Sequence, residues 1–181
     1  MNINVNEIIN EVLYRYPFLG SVFASIEIVE DYNCYEYHGN PSASASRTKI
    51  SYHPDFLSSL DREEQITLFA HEGCHILLKH HQRSKGKNPK IWNIATDAII
   101  NANLKKDDFK LIPGSVDRPD AKGYSAEKYY QKLLKEQEEQ KENQLQNSEN
   151  NNQEKNEKSQ NPSSQEKNEQ SNQNSQKDNS S

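Results

Sequence analysis

The chain has 181 residues, 31% of them hydrophobic, and a formal net charge of −5. Ten acidic and five basic residues lie from Glu136 to Ser181, so residues 1–135 are neutral on balance and nucleic-acid binding has no electrostatic support. Two cysteines, Cys34 and Cys74, make no disulfide framework. No run approaches the ~20 apolar residues of a membrane helix. The first residues, Met1 to Glu7, lack the basic and apolar regions of a signal peptide. These features exclude a membrane role and lead to the expectation of a soluble cytoplasmic protein.

Residues 5–15 read as an amphipathic helix, with Ile8, Ile9, Val12 and Leu13 on one face, and Pro17 and Gly20 end it. Residues 22–30, 34–38 and 48–52 read as short strands, with a loop from Gly39 through the serines after Pro41. A small antiparallel sheet is the economical arrangement. Asp61 is placed to cap a helix over 62–82, with Glu64 as its reciprocal partner. Ile66, Phe69, Ala70, Cys74 and Leu77 form one apolar face of that helix, and Leu68 and Leu78 lie on the other side, so the helix is expected to be central. Asn88 and Pro89 start a second helix over 89–104. Ser125 caps a third, where Tyr124 can staple onto Tyr129, and Tyr130, Leu133 and Leu134 form its apolar face.

After Leu145 there is no aliphatic, aromatic or sulfur-bearing residue. Such a segment cannot bury enough apolar surface to offset its chain entropy. The expected organisation is an α+β domain over residues 1–137 and a disordered polar tail over 138–181.

The chemistry concentrates in His71-Glu72-Gly73-Cys74-His75. Two histidines four apart on a helix project from one face, one turn apart, so both imidazoles can bind one metal ion. Glu72 beside them can then act as general base on a metal-activated water, which is the logic of the HExxH zinc peptidases. Cys74, as a buried thiol, packs as a small apolar residue. Catalytic zinc usually takes three protein ligands and leaves one position open. His80 and His81 are poorly directed for the third if the helix simply continues, and a solvated helix end is the plainer reading of both. Asp97 is favoured. It sits in a polar stripe, Asn93, Asp97 and Asn101, at i, i+4 and i+8 of the second helix, flanked by Ile94 and Ile100. A carboxylate from a second, antiparallel helix is a common third ligand, and Asn101 would orient Asp97 or a histidine. The segment 48–52 could serve as a sheet edge for an extended peptide. Tyr52, His53 and Tyr124 are candidate oxyanion donors.

From His71 to Asn101 the chain resembles the predicted metallopeptidase domain found ahead of a von Willebrand factor A-like domain in bacterial proteins. The likeness rests on HEGCH, His80-His81-Gln82-Arg83, Ile91-Trp92-Asn93 and the run from Ala95 to Asn101, with Tyr52-His53-Pro54-Asp55-Phe56 upstream and Gly123 to Glu127 downstream. His53 stands where the family has asparagine. The polar tail stands where the family continues into the von Willebrand-type domain. The resemblance implies a zincin-like fold with a central HExxH helix, a Zn2+ cofactor held by His71, His75 and Asp97, a peptide or protein substrate, and a von Willebrand-type or AAA+ ATPase partner. Two other readings stay open. One is a non-catalytic metal-stabilised protein-binding module acting with such a partner, its site closed by His81. The other is a hydrolase of non-peptide amides.

Overall fold

Val5–Arg15 form the first helix, α1, which Asn4 caps by accepting the Asn6 N–H. Its face of Ile8, Ile9 and Val12 is buried. A 3-10 turn at Pro17–Leu19 leads into α2, Gly20–Phe23. The strand expected over 22–30 therefore begins only at β1, Glu27–Glu30. Leu19, Val22 and Phe23 stand at i, i+3 and i+4 and pack into the core, so helical periodicity overrides their β propensity. The computed structural model describes residues 3–35 and 39–158.

The sheet has three strands in the order β1-β3-β2, with β2 at Ala43–Ala45 and β3 at Lys49–Tyr52. β1 runs parallel to β3, with Ile28 opposite Ile50, and β2 runs antiparallel to β3, with Ser44 opposite Ser51. The sheet is thus mixed rather than antiparallel, because the long β1–β2 connection carries the chain across β3. β3 is the central strand and both its edges are paired, so it cannot take up a peptide; the free edges belong to β1 and, on the other side, to β2. The serine-rich segment expected to be a loop supplies that edge strand. Alanine and serine carry weak β propensity, and tertiary packing of Ala43 and Ala45 on the core decides the matter. In place of the strand expected over 34–38, the described residues show one isolated bridge, Tyr35 to Pro41; residues 36–38 lie outside them.

His53 caps a short helix, α3 (Pro54–Ser59), by accepting the Asp55 N–H through Nδ1. Next comes α4, Arg62–Leu77, started by the full capping box of Asp61 and Glu64. Ile66, Phe69, Ala70 and Cys74 are buried in one cluster with α1 and β3. Gly73 is tightly approached: a Cβ there would stand 3.2 Å from both Leu19 Cδ1 and Phe23 Cζ. α4 ends earlier than expected. Lys79 takes the left-handed conformation (φ 55°) and a separate short helix, α5 (His80–Arg83), turns away. Leu77 and Leu78 are consequently half-exposed. Arg83 holds this corner, donating to the Leu78 carbonyl at 2.8 Å while its other guanidinium nitrogens grip Glu127.

Asn88 caps α6, Pro89–Lys106. This helix lies between two apolar clusters. Ile100 and Leu104 join the α4 core, whereas Trp92, Ala95 and Ile99 pack with Tyr129, Tyr130 and Leu133. Those tyrosines belong to α7, Ala126–Lys158, and Tyr124 stacks edge-on against Tyr129 with centroids 5.6 Å apart. The chain divides after Glu138 into two units. In the second, α7 runs on as far as Lys158, where an irregular tail was expected. Glu, Gln and Lys lose little rotamer freedom in a helix, so local propensity can continue it without an apolar face. Residues 159–181 of the expected tail lie outside the described residues. Among the described residues, no helix is long and apolar enough to cross a membrane.

Candidate metal centre

α4 and α6 pack against each other and bring three donor groups together. Nε2 of His75 lies 2.9 Å from Nε2 of His71 and 3.1 Å from Oδ1 of Asp97, and His71 Nε2 is 3.6 Å from the same oxygen. Among the described residues this is the one group of histidine, cysteine or carboxylate donors close enough to hold a metal ion. Ligand atoms about 2.0–2.2 Å from a tetrahedral ion stand ~3.3–3.5 Å apart, a range these three separations bracket. The three side chains are part-buried, so the cluster keeps an open side.

The tautomers fit the same purpose. Asn101, buried at 3% exposure, donates through Nδ2 to the Val116 carbonyl at 2.9 Å. Its Oδ1 is thereby turned to His71 Nδ1, at 2.8 Å. An amide oxygen only accepts, so His71 carries its proton on Nδ1 and, when neutral, offers a lone pair at Nε2. Two imidazole lone pairs directed at one point beside a carboxylate repel unless a proton or a metal cation stands among them. Charge follows accordingly. Burial opposes ionisation of Asp97, yet hydrogen bonds and charge from His71 and His75 hold its carboxyl well below the usual carboxylate range. Burial likewise opposes a charge on His71, and the hydrogen bond and charge of Asp97 lift its pKa above 6.5 despite it.

His75 is oriented by a residue that a continuous helix would not put there. Because the chain turns at Lys79, His80 is buried rather than solvated, and its Nδ1 lies 3.2 Å from His75 Nδ1. Burial first, and then the charges of His75 and Arg83, push the His80 pKa down to about 3. The neutral ring can accept at Nδ1 from the His75 Nδ1–H, which leaves the His75 lone pair at Nε2. The Trp92 indole N–H donates to the His80 carbonyl at 3.0 Å and pins it. The sequence signal for this role was the αL turn, and Lys79 gives none, since glycine or asparagine is the usual residue there. His81, by contrast, is exposed.

The cluster opens on a cleft of about 860 Å3, walled on one side by β2 and on the other by the 112–116 loop. Glu72 is buried at 8% exposure, lines this cleft, and has no hydrogen-bond or ion-pair partner among the described residues. Thr67, one turn before His71, also lines it, and its buried hydroxyl is unpaired within the described residues. Tyr35 and Asn93 open on the cleft as well, and no motif marks Tyr35 for it in sequence. The three candidate oxyanion donors are occupied elsewhere. Tyr52 donates to Glu30, His53 caps α3, and Tyr124 packs on Tyr129. Cys74 is buried in the core cluster, where burial pushes its thiol up to about 12, and it is not among the converging donors.

A family model described as "Putative metallopeptidase domain" matches residues 4–181. The chain belongs to this metallopeptidase-domain family. No curated protein and no solved structure matches it. The family description and the His71, His75 and Asp97 cluster both point to a metal ion.

Proposed function

We propose that this family member is a zinc-dependent peptidase, with His71, His75 and Asp97 as the metal ligands and Glu72 as the general base. The observation that carries the reading is the convergence of those three donor atoms beside a buried, unpartnered carboxylate on an open cleft. Two imidazoles and a carboxylate suit zinc among the common divalent ions. When bound, such an ion lowers the pKa of a coordinated water and polarises a carbonyl oxygen.

The chain's own groups supply the rest. Glu72 takes the proton of the attacking water and delivers it to the leaving amine. Asn101 and His80 hold the two imidazoles in the tautomers that face the ion. The outer edge of β2 lies along the cleft, with Ala43 and Ala45 on its wall, and offers unpaired backbone groups to an extended peptide. Tyr35, Asn93 and Thr67 are among the neutral donors that line the cleft where an oxyanion would develop.

A closed, purely structural site would need a fourth protein ligand. His81, the suspected fourth, is exposed and outside the cluster, and the described residues supply three donors. That favours an open position and hydrolysis over a metal-stabilised binding module. The test is Glu72→Gln. Peptide cleavage by the zinc-loaded protein should fall by about 10²–10⁴-fold while zinc stoichiometry stays the same. Cleavage at the unaltered rate would remove Glu72 from the mechanism.

A further inference from the structure

A smaller cavity of about 160 Å3 adjoins the cleft. Pockets for small molecules begin near ~300 Å3, so this one has room for a single side chain. His75, Asn93 and Ala45 line both cavities, so the smaller one meets the cleft beside the candidate ligand His75. Arg47 and Lys79 line it, and no carboxylate does. Both are exposed, and neither has an ion-pair partner among the described residues. The contrast with the other arginines is informative: Arg15, Arg62, Arg83 and Arg118 are each paired with a glutamate. Two uncompensated cations lining a side-chain-sized cavity favour an anionic occupant.

We infer that this cavity is a specificity subsite for a carboxylate of the substrate, that of a glutamate or aspartate side chain in a peptide lying along the cleft. The inference rests on the peptidase reading, which it narrows to acidic peptides. An extended peptide on the β2 edge passes Ala45, and the side chain directed past His75 enters between Arg47 and Lys79.

Trp92 is the only tryptophan in the chain and lines this cavity, so its fluorescence reports occupancy without any turnover. The probes are a blocked alanine pentapeptide with a central glutamate, its glutamine twin, and pentaalanine with a free C-terminus. Titrated into the zinc-loaded protein, the glutamate peptide should bind about tenfold more tightly than the glutamine twin, and less so as salt rises. The preference should vanish in Arg47→Gln/Lys79→Gln and reverse in Arg47→Glu/Lys79→Glu, with thermal melting of both variants close to that of the parent. Equal binding of the glutamate and glutamine peptides, or a preference that survives both double variants, would overturn the subsite. Tighter binding of pentaalanine than of the glutamate peptide would replace the side-chain carboxylate by a terminal one and overturn the assignment as stated. Cleavage assays separate the two readings. Acidic preference in binding with no cleavage of any peptide sinks the peptidase and keeps the subsite. Cleavage of glutamine and glutamate peptides at equal rates sinks the subsite and keeps the peptidase.

Discussion

Nδ1 of His80 sits 3.2 Å from Nδ1 of His75, on the side of that ring away from Asp97. A ring that reads in sequence as a solvated helix end is thus the buried support of a candidate ligand. Outer partners of this kind typically contribute 10–100-fold to metal affinity. His80→Leu should therefore weaken zinc binding by about that factor in a competitive chelator titration. His80→Gln, which retains an acceptor, should recover part of it. Unchanged affinity in both variants would mean that the contact does not orient His75.

Asn101→Leu should act in the same way on His71, because it removes the acceptor for Nδ1 and the link to Val116. A loss of roughly 10–100-fold in zinc affinity is expected. It should be additive with His80→Leu only in part, since both act on one ion.

Asp97→Ala removes the sole carboxylate of the cluster. Zinc binding at micromolar concentration should be lost. In the metal-free protein, Asp97→Asn should also alter stability with pH. The lowered pKa of Asp97 stabilises the fold above ~4 and is lost as pH falls below it. The raised pKa of His71 stabilises below ~6.5 and is lost as pH rises through its folded value. The melting-temperature advantage of the parent over Asp97→Asn should accordingly be largest between about pH 4 and 6.5. A constant difference from pH 4 to 9 would contradict the pairing.

His80 gives the opposite trend. Its pKa is depressed, to about 3, so its contribution is complete above ~6.5 and drains away as pH falls toward that value. Metal-free His80→Gln should lose less stability than the parent between pH 6.5 and 4. Parallel melting curves across that interval would show that His80 does not have to stay neutral.

Deleting residues 138–181 should leave the melting temperature of the remainder unchanged. The residues before that point hold both apolar clusters, and nothing after Leu145 is apolar. A cooperative loss of the fold would place the domain boundary further along the chain.

Several features were legible in the sequence because they are set within one or two helical turns. The Asp61–Glu64 capping box, the Asn88 cap and the four-residue spacing of His71 and His75 follow from helix geometry and local hydrogen bonding. The Asn93, Asp97 and Asn101 stripe likewise fixed which face of α6 could carry a ligand. Other features depend on partners far along the chain. The order β1-β3-β2 and the role of Ala43–Ala45 as edge strand come from packing against α4, against weak local propensity. The reversal at Lys79 is held by Arg83 on Glu127 and by Trp92 on the His80 carbonyl, contacts spanning 44 and 12 residues. Local periodicity could say which side chains share a helix face. Only the packing of one helix on another could say what stands opposite that face.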